Sequence, residues 1–273
     1  MSSTDTRVTE GHAPANGVQM YWRSLGQRGT PLVVVHGGFG VVEMFGEVLE
    51  RLAARRRVIA VELQGHGRTP DIDRPFSYEA FADDLAALIG HLELGRADLL
   101  GYSLGAVACL RAAIQHPGLV RRLVVVSAPC RRDGWYPEVL EGMAQVGSAM
   151  FDQMRHPPMY AAYAAVAPDV DAYPRLMDRT GELLRQPYDW SAEVAAMTVP
   201  TLLVYGDADS VPTSHAAEFF ALLGGGLHDA GWDGAGRPRG GLAIFPGRTH
   251  YDAFEAPQLA DVAAEFLDAP DRT

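Results

Sequence analysis

Six short apolar runs recur along this chain and constrain its fold more than any other feature. Each run is continuous and rich in valine, leucine or isoleucine. The runs are PLVVVH at 31–36, VIAVEL at 58–63, DLLGY at 98–102, RLVVVS at 122–127, TLLVY at 201–205 and LAIFP at 242–246. This pattern is typical of a parallel sheet that is covered on both faces, because neither face then needs polar residues.

Helical patterns lie between these runs. Apolar stripes at helical spacing are formed by Phe81, Leu85, Leu88, Ile89 and Leu92, and by Leu259, Val262, Phe266 and Leu267. The alternation of strands and helices predicts an α/β fold, with a mostly parallel sheet flanked by helices. In such a fold the active residues are expected on loops at the carboxyl ends of the strands.

One interval of about 70 residues, at 130–199, is too long for a single crossover helix and would not be left without structure in a compact domain. It is rich in methionine, alanine and tyrosine. We interpret it as a helical cap of residues 130–199, inserted in a core domain of residues 1–129 and 200–273.

The charge of the chain argues against polymeric partners. The formal net charge is -11 at pH 7, which opposes nucleic-acid binding and would repel an anionic membrane surface. We therefore expect a small-molecule substrate, with neither a nucleic acid nor a membrane as partner. The chain contains no lysine, which excludes Schiff-base chemistry and a serine–lysine dyad. No feature of the sequence predicts an oligomeric state.

The two cysteines, Cys109 and Cys130, cannot form a disulfide framework, and neither lies in a spacing typical of a metal site. We expect buried reduced thiols, without a metal or an organic cofactor. The segment at 1–17 is polar and lacks the apolar stretch of a signal peptide. The expected location is the cytoplasm.

The pentapeptide Gly101-Tyr102-Ser103-Leu104-Gly105 follows an apolar strand and opens a helix. In this context Gly-x-Ser-x-Gly indicates a nucleophile elbow, a sharp turn that presents the serine to a substrate. The flanking glycines let strand and helix approach without a clash of Cβ atoms. Ser103 is therefore the predicted nucleophile. The alternative is an idle serine in a turn of small residues.

A serine nucleophile needs a histidine base that is oriented by a carboxylate, and both should follow it in the chain. Of nine histidines, His250 has the expected place, directly after the strand-like run LAIFP and Gly-Arg-Thr. Asp207 and Asp209 both follow the run TLLVY. Local reasoning leaves these two aspartates as alternatives.

Backbone N–H groups are needed to stabilise the oxyanion that forms during acyl transfer. The loop His36-Gly37-Gly38-Phe39-Gly40 follows the first predicted strand. We assign one donor to Gly38 and the other to Leu104, the residue after the nucleophile. His36 is expected to brace this loop by hydrogen bonding.

The motifs HGGFG, ELQGHGRT at 62–69, GYSLG, GDAD and GRTH, in this order and spacing, resemble the α/β-hydrolase superfamily. The chain is similar to its capped bacterial esterases, perhydrolases and C–C hydrolases. The resemblance implies that Asp209 is the acid of a catalytic triad with Ser103 and His250. Two residues depart from the usual pattern, because Tyr102 and Thr249 stand where the family usually has histidine and glycine.

The predicted function is hydrolysis of a carboxylic ester or lactone of an apolar small molecule through an acyl-enzyme. Two alternatives remain open: C–C bond hydrolysis or perhydrolysis by the same triad, and ligand binding without turnover on a hydrolase scaffold. Phe39, Met150, Phe151 and Met154 are predicted to bind the substrate, because aromatic rings and flexible thioethers suit an adaptable apolar pocket. The alternative for each is packing alone.

Overall fold

The six predicted strands are present in the structure, and two further strands precede them. The computed structural model describes residues 8–156 and 158–270. The strands are β1 Thr9–Ala15, β2 Val18–Leu25, β3 Leu32–Val35, β4 Val58–Val61, β5 Ala97–Tyr102, β6 Val120–Val126, β7 Thr201–Ala208 and β8 Gly241–Thr249. Within the described residues they form one sheet in the order β1-β2-β4-β3-β5-β6-β7-β8.

The direction of the strands agrees with the prediction from the apolar runs. β2 pairs antiparallel with β1 and with β4, and all other neighbours pair in parallel. The predicted mostly parallel sheet is therefore confirmed. Because β5 to β8 are parallel neighbours, their carboxyl ends meet at one edge of the sheet.

The helices follow the predicted alternation. They are α1 Glu47–Ala53, α2 Tyr78–His91, α3 Leu104–Gln115, α4 Pro137–Gln145, α5 Phe151–Met154, α6 Pro158–Val166, α7 Tyr173–Arg185, α8 Ser191–Ala196, α9 Thr213–Leu222 and α10 Pro257–Asp268. Helices α4 to α8 occupy the interval between β6 and β7, in which the helical cap is predicted. Among the described residues, no helix is both long and apolar enough to cross a membrane.

Alternate residues of the buried strands divide the core into two layers. In β3, Val33 and Val35 pack with residues of α2 and α3, whereas Leu32 and Val34 pack with residues of α1 and α10. Successive side chains of a strand point to opposite faces, so a strand that is covered on both sides must be apolar at every position. This explains the continuous runs in the sequence.

The N-terminal hairpin of β1 and β2 was not predicted, since it contains no continuous apolar run. Its turn is Asn16-Gly17, and both residues have positive φ, 49° and 89°. This is the turn chemistry that the twist of a two-residue hairpin requires. The Asn-Gly pair is thus the sequence signal that could have identified the hairpin.

Close packing of α3 on β3 fixes the start of α3. A Cβ atom built on Gly105 would lie only 2.2 Å from the His36 carbonyl oxygen. A Cβ atom built on Gly101 would lie 2.5 Å from the Cα atom of Ala106. Both distances are far shorter than van der Waals contact. The two glycines of the pentapeptide are therefore required by the approach of two backbones. This approach holds Ser103 at the sheet edge.

We expect Gly105→Ala to lower the free energy of unfolding by about 1–3 kcal/mol, because the backbone that meets the new methyl group must shift. Gly90→Ala is the matched control, since Gly90 lies exposed in α2 and no atom of the described residues lies within 4 Å of the position of its missing Cβ. That change should instead raise stability by about 0.5–1 kcal/mol. Urea unfolding of both variants measures the difference, and equal effects would contradict the packing account.

Candidate active site

Ser103 occupies a strained turn between a strand and a helix. β5 ends at Tyr102 and α3 begins at Leu104, so Ser103 is the one residue between them. Its backbone is left-handed, with φ 52° and ψ -119°, a conformation that costs free energy in a residue with a side chain. The turn is anchored by a hydrogen bond from the Ser103 N–H to the Val126 carbonyl oxygen, at 2.9 Å.

Three predicted residues form a continuous chain of hydrogen bonds. Ser103 Oγ lies 3.1 Å from His250 Nε2, and His250 Nδ1 lies 3.0 Å from Asp209 Oδ1. An ionised carboxylate can only accept, so Nδ1 carries a proton and Nε2 is free to accept the hydroxyl proton of Ser103. The arrangement can therefore draw a proton from a serine that attacks an electrophile.

Asp209 is held as a carboxylate by its surroundings. Burial alone would raise its pKa, but hydrogen bonding to His250, the charge of His250, and hydrogen bonds from Ser127 and the Gly206 N–H outweigh burial and lower the pKa of Asp209 below its usual value. Ser127 Oγ donates to Asp209 Oδ2 at 2.5 Å, and the Gly206 and Val211 N–H groups donate at 3.1 and 3.3 Å.

The rival acid, Asp207, lies elsewhere. It belongs to the end of β7, where it is exposed, and its Oδ1 accepts a hydrogen bond from the Gly247 N–H at 2.8 Å. Asp209 follows β7 and is buried. The structure therefore brings Asp209, and not Asp207, to His250, in agreement with the choice that the family resemblance implies.

Ser127 is a residue at this site that the sequence analysis missed. It directly follows β6, is fully buried, and has a left-handed backbone with φ 55°. Its N–H donates to the Val204 carbonyl oxygen at 2.9 Å. The sequence signal that could have identified Ser127 is its position. It is a polar residue directly after the apolar strand β6, which lies beside β7, the strand that precedes Asp209.

Aromatic side chains enclose His250. Tyr102 donates its hydroxyl to the His250 carbonyl oxygen at 2.8 Å, and its ring stacks on Phe254 at 4.3 Å. The ring of Trp135, from the segment after β6, lies edge-on to the imidazole at 5.5 Å. Tyr102, which departs from the usual family residue, thus fixes the loop that carries His250. No pattern in the sequence indicated Trp135.

The predicted oxyanion residues lie side by side. A Cβ atom built on Gly38 would be 3.6 Å from Leu104 Cδ1, and one on Gly37 would be 2.7 Å from the Tyr102 ring and 3.3 Å from Ser103 Cβ. The glycines let the loop backbone approach the nucleophile. Leu104 is the first residue of α3, where N–H groups have no partner within the helix.

His36 braces the oxyanion loop. Burial, followed by the nearby charge of His66, lowers the pKa of His36 to about 3, against a hydrogen bond with Gly37 that raises it, so the ring is neutral at physiological pH. Nε2 accepts the Leu63 N–H at 3.1 Å, which leaves Nδ1 to donate to the Gly37 carbonyl oxygen at 2.7 Å. The ring thus ties the loop after β3 to the loop after β4.

A buried carboxylate joins the same two loops. Glu62 accepts hydrogen bonds from the Val42 N–H at 3.3 Å and from the backbone and side chain of Arg68 at 2.5 and 2.8 Å. A Cβ atom at Gly67, whose φ is 52°, would overlap the Glu62 carboxylate. This explains the motif ELQGHGRT as a support for the loop that carries Gly38.

Two of the four residues predicted to bind substrate lie near one tyrosine, Tyr173. Phe39 is buried, with a left-handed φ of 60°, and its ring lies 5.9 Å from that of Tyr173. Phe151, partly buried, lies 6.3 Å from the same ring. Met150 and Met154 are partly buried against the hydrophobic cluster that contains Phe39. Their contact with a substrate stays a prediction.

Comparison with known proteins identifies the family. The profile of the alpha/beta hydrolase family matches residues 32–268, which is most of the chain. The chain belongs to this family and is an α/β-hydrolase enzyme.

Curated relatives include esterases and other hydrolases. The pimeloyl-[acyl-carrier protein] methyl ester esterase of Neisseria meningitidis serogroup B / serotype 15 (strain H44/76) is 32% identical over 204 residues, which cover 68% of this chain and 77% of the relative. The 2-(acetamidomethylene)succinate hydrolase of Mesorhizobium japonicum is 27% identical over 264 residues, which cover 88% and 89%.

A solved structure shares the fold. The crystal structure of E-2-(acetamidomethylene)succinate hydrolase superposes with a TM-score of 0.72 at 22% identity, over 96% of this chain and 100% of that one. At this level of identity the likeness concerns the fold.

We expect Ser127→Ala to lower kcat/KM for a chromogenic ester roughly tenfold, because Asp209 loses a hydrogen bond to its charged form. The pKa of Asp209 should rise, so the acidic limb of the pH profile should move to higher pH. Ser127→Gly, which accepts the left-handed backbone without strain, should show the same shift. Unchanged pH profiles in both variants would contradict a role of Ser127 in holding Asp209.

Proposed function

We propose that this enzyme hydrolyses a carboxylic ester or lactone of an apolar small molecule, with Ser103 as nucleophile. The observation that carries the proposal is the hydrogen-bonded chain from Ser103 through His250 to Asp209, at 3.1 and 3.0 Å. An ester hydrolase among the relatives supports ester cleavage. The acidic net charge supports a small molecule rather than a nucleic acid or a membrane as the binding partner.

In the acylation step, Ser103 Oγ attacks the ester carbonyl carbon while His250 Nε2 accepts the hydroxyl proton. The N–H groups of Gly38 and Leu104 stabilise the negative charge that develops on the carbonyl oxygen. When the tetrahedral intermediate collapses, the alkoxide leaves and takes the proton from His250. The acyl group then remains on Ser103.

In the deacylation step, His250 removes a proton from water as the water oxygen attacks the acyl carbonyl carbon. The bond to Ser103 Oγ then breaks, Oγ takes the proton from His250, and the acid product leaves. Asp209 stays ionised throughout and stabilises the imidazolium. The enclosure of His250 by Trp135 and Tyr102 lowers the local dielectric, which strengthens this charge interaction.

Two alternatives to ester hydrolysis remain. One is C–C hydrolysis or perhydrolysis by the same residues, and the other is ligand binding without turnover. A fluorophosphonate probe followed by a panel of chromogenic esters tests for ester hydrolysis. Labelling with steady turnover of esters supports the esterase, whereas labelling without ester turnover supports one of the alternatives.

We expect Ser103→Ala to abolish fluorophosphonate labelling and to lower ester turnover by at least about 10³-fold, leaving the rate that oxyanion stabilisation and binding provide. Circular dichroism and thermal unfolding check that the fold persists. Retention of ester turnover by this variant would contradict the proposed function.

The two aspartates provide a matched control for the same prediction. Asp209→Asn should lower kcat by roughly 10²- to 10⁴-fold, because the amide presents the wrong partner to His250 Nδ1. Asp207→Asn alters a carboxylate of the same strand end that bonds only the Gly247 N–H among the described residues. The reverse ranking of the two variants would assign the acid to Asp207.

The aromatic and methionine side chains that are predicted to bind the substrate imply a preference for apolar acyl groups. Lengthening the acyl group from acetyl to octanoyl should raise kcat/KM, since each buried methylene contributes up to ~0.8 kcal/mol, or about fourfold. Phe151→Ala and Met154→Ala should shift this preference without removing activity. A strict preference for acetyl esters, measured across a p-nitrophenyl series, would contradict an apolar pocket.

A further inference from the structure

Tyr173 carries a buried hydroxyl that has no hydrogen-bond partner among the described residues. It begins α7, and its side chain is fully buried. A buried polar group without a partner loses its hydrogen bonds to water and gains nothing in return. A phenylalanine would fill the same space without this cost. The hydroxyl is therefore a feature that packing does not explain.

The surroundings of Tyr173 place it in the predicted substrate region. Its ring lies 5.9 Å from Phe39 of the oxyanion loop and 6.3 Å from Phe151. The rings of Tyr160 and Tyr163 each lie 5.0 Å away. The Tyr163 hydroxyl is already committed, since it donates to the Asp169 carbonyl oxygen at 3.2 Å.

Thr180 provides a second unpartnered hydroxyl on the same helix. It too is fully buried, and its methyl carbon would lie 3.9 Å from a Cβ atom at Gly38. Residues seven apart lie on one face of a helix, about 10.5 Å apart along its axis. α7 thus carries two unpartnered hydroxyls on the face where Tyr173 packs near Phe39 and Thr180 packs near Gly38.

The charges nearby favour a neutral ligand group. The carboxylates of Asp71 and Asp169 are close enough to raise the pKa of Tyr163, after the larger effect of burial. Arg175 is paired with Asp71 at 2.6 Å. Burial raises the pKa of Tyr173, so its hydroxyl stays protonated and can donate.

We propose that Tyr173 and Thr180 each recognise a neutral carbonyl or ether oxygen carried by the otherwise apolar acyl part of the substrate. This proposal rests on the proposed ester hydrolysis and specifies the acyl part of its substrate. An acyl chain whose carbonyl carbon lies at Ser103 would pass Thr180 beside Gly38 and reach Tyr173 beside Phe39. Tyr173 and Thr180 are specificity residues here, with no part in bond making.

The test uses p-nitrophenyl octanoate and a series in which successive methylenes of the acyl chain are replaced by a ketone or an ether oxygen. With the native enzyme, two positions in the series should be favoured, one for each hydroxyl. Tyr173→Phe should lower kcat/KM for the ester whose oxygen is farther from the scissile bond about tenfold more than for octanoate itself, the worth of one hydrogen bond. Thr180→Val should lower kcat/KM in the same way for the ester whose oxygen is nearer the scissile bond.

Tyr163→Phe is the matched control, because it removes a hydroxyl of the same cluster that already has a partner. It should leave the ratio between the two esters unchanged. Thermal unfolding separates recognition from packing, since Tyr173→Phe should leave the Tm unchanged or raise it. A lower Tm, or equal losses on all esters, would overturn the proposal.

Three further outcomes are decisive. A preference for esters with a terminal carboxylate, lost in Tyr173→Phe, would overturn the neutral assignment. If no oxygen-bearing ester is distinguished while Ser103→Ala remains inactive, the recognition site fails and the proposed function stands. If Ser103→Ala keeps its activity, the proposed function fails instead.

Discussion

Parallel pairing of β5, β6, β7 and β8 is the constraint on which the candidate active site depends. The register pairs Tyr102 with Val126 and Val126 with Val204. β7 continues beyond this level to Ala208. The loops after them then supply Ser103, Ser127, Asp209 and His250. The sheet thereby brings Ser103 and His250, which are 147 residues apart in the chain, within hydrogen-bond distance.

Backbone strain is concentrated at this edge. Five residues other than glycine have positive φ in the described part of the chain, and three of them are Phe39, Ser103 and Ser127. Such conformations persist where the surrounding structure determines them. The glycines of the two motifs, the His36 ring and the buried Glu62 provide this support. The same contacts therefore hold the three loops that carry Phe39, Ser103 and Ser127 close together at the edge of the sheet.

The fold could be predicted because continuous apolar runs report burial on both faces of a sheet. Ser103 and His250 could be predicted because their neighbours mark strand ends. The choice between Asp207 and Asp209 depended on where β7 ends, and the strand continues through Ala208, beyond its apolar run. Ser127 and Trp135 were missed because their contacts with Asp209 and His250 arise only from tertiary structure. Tyr173 was missed for the same reason, since a phenol without a partner is visible only once its surroundings are known.

The central claim is that the hydroxyl of Ser103 forms a covalent acyl intermediate. Rapid mixing of the enzyme with p-nitrophenyl octanoate, acid quenching within the first turnovers and peptide mass spectrometry would test it directly. The account predicts an added octanoyl group on the peptide that contains Ser103, which disappears as the substrate is exhausted. Steady ester turnover without any acyl adduct, or an adduct on another residue, would contradict it.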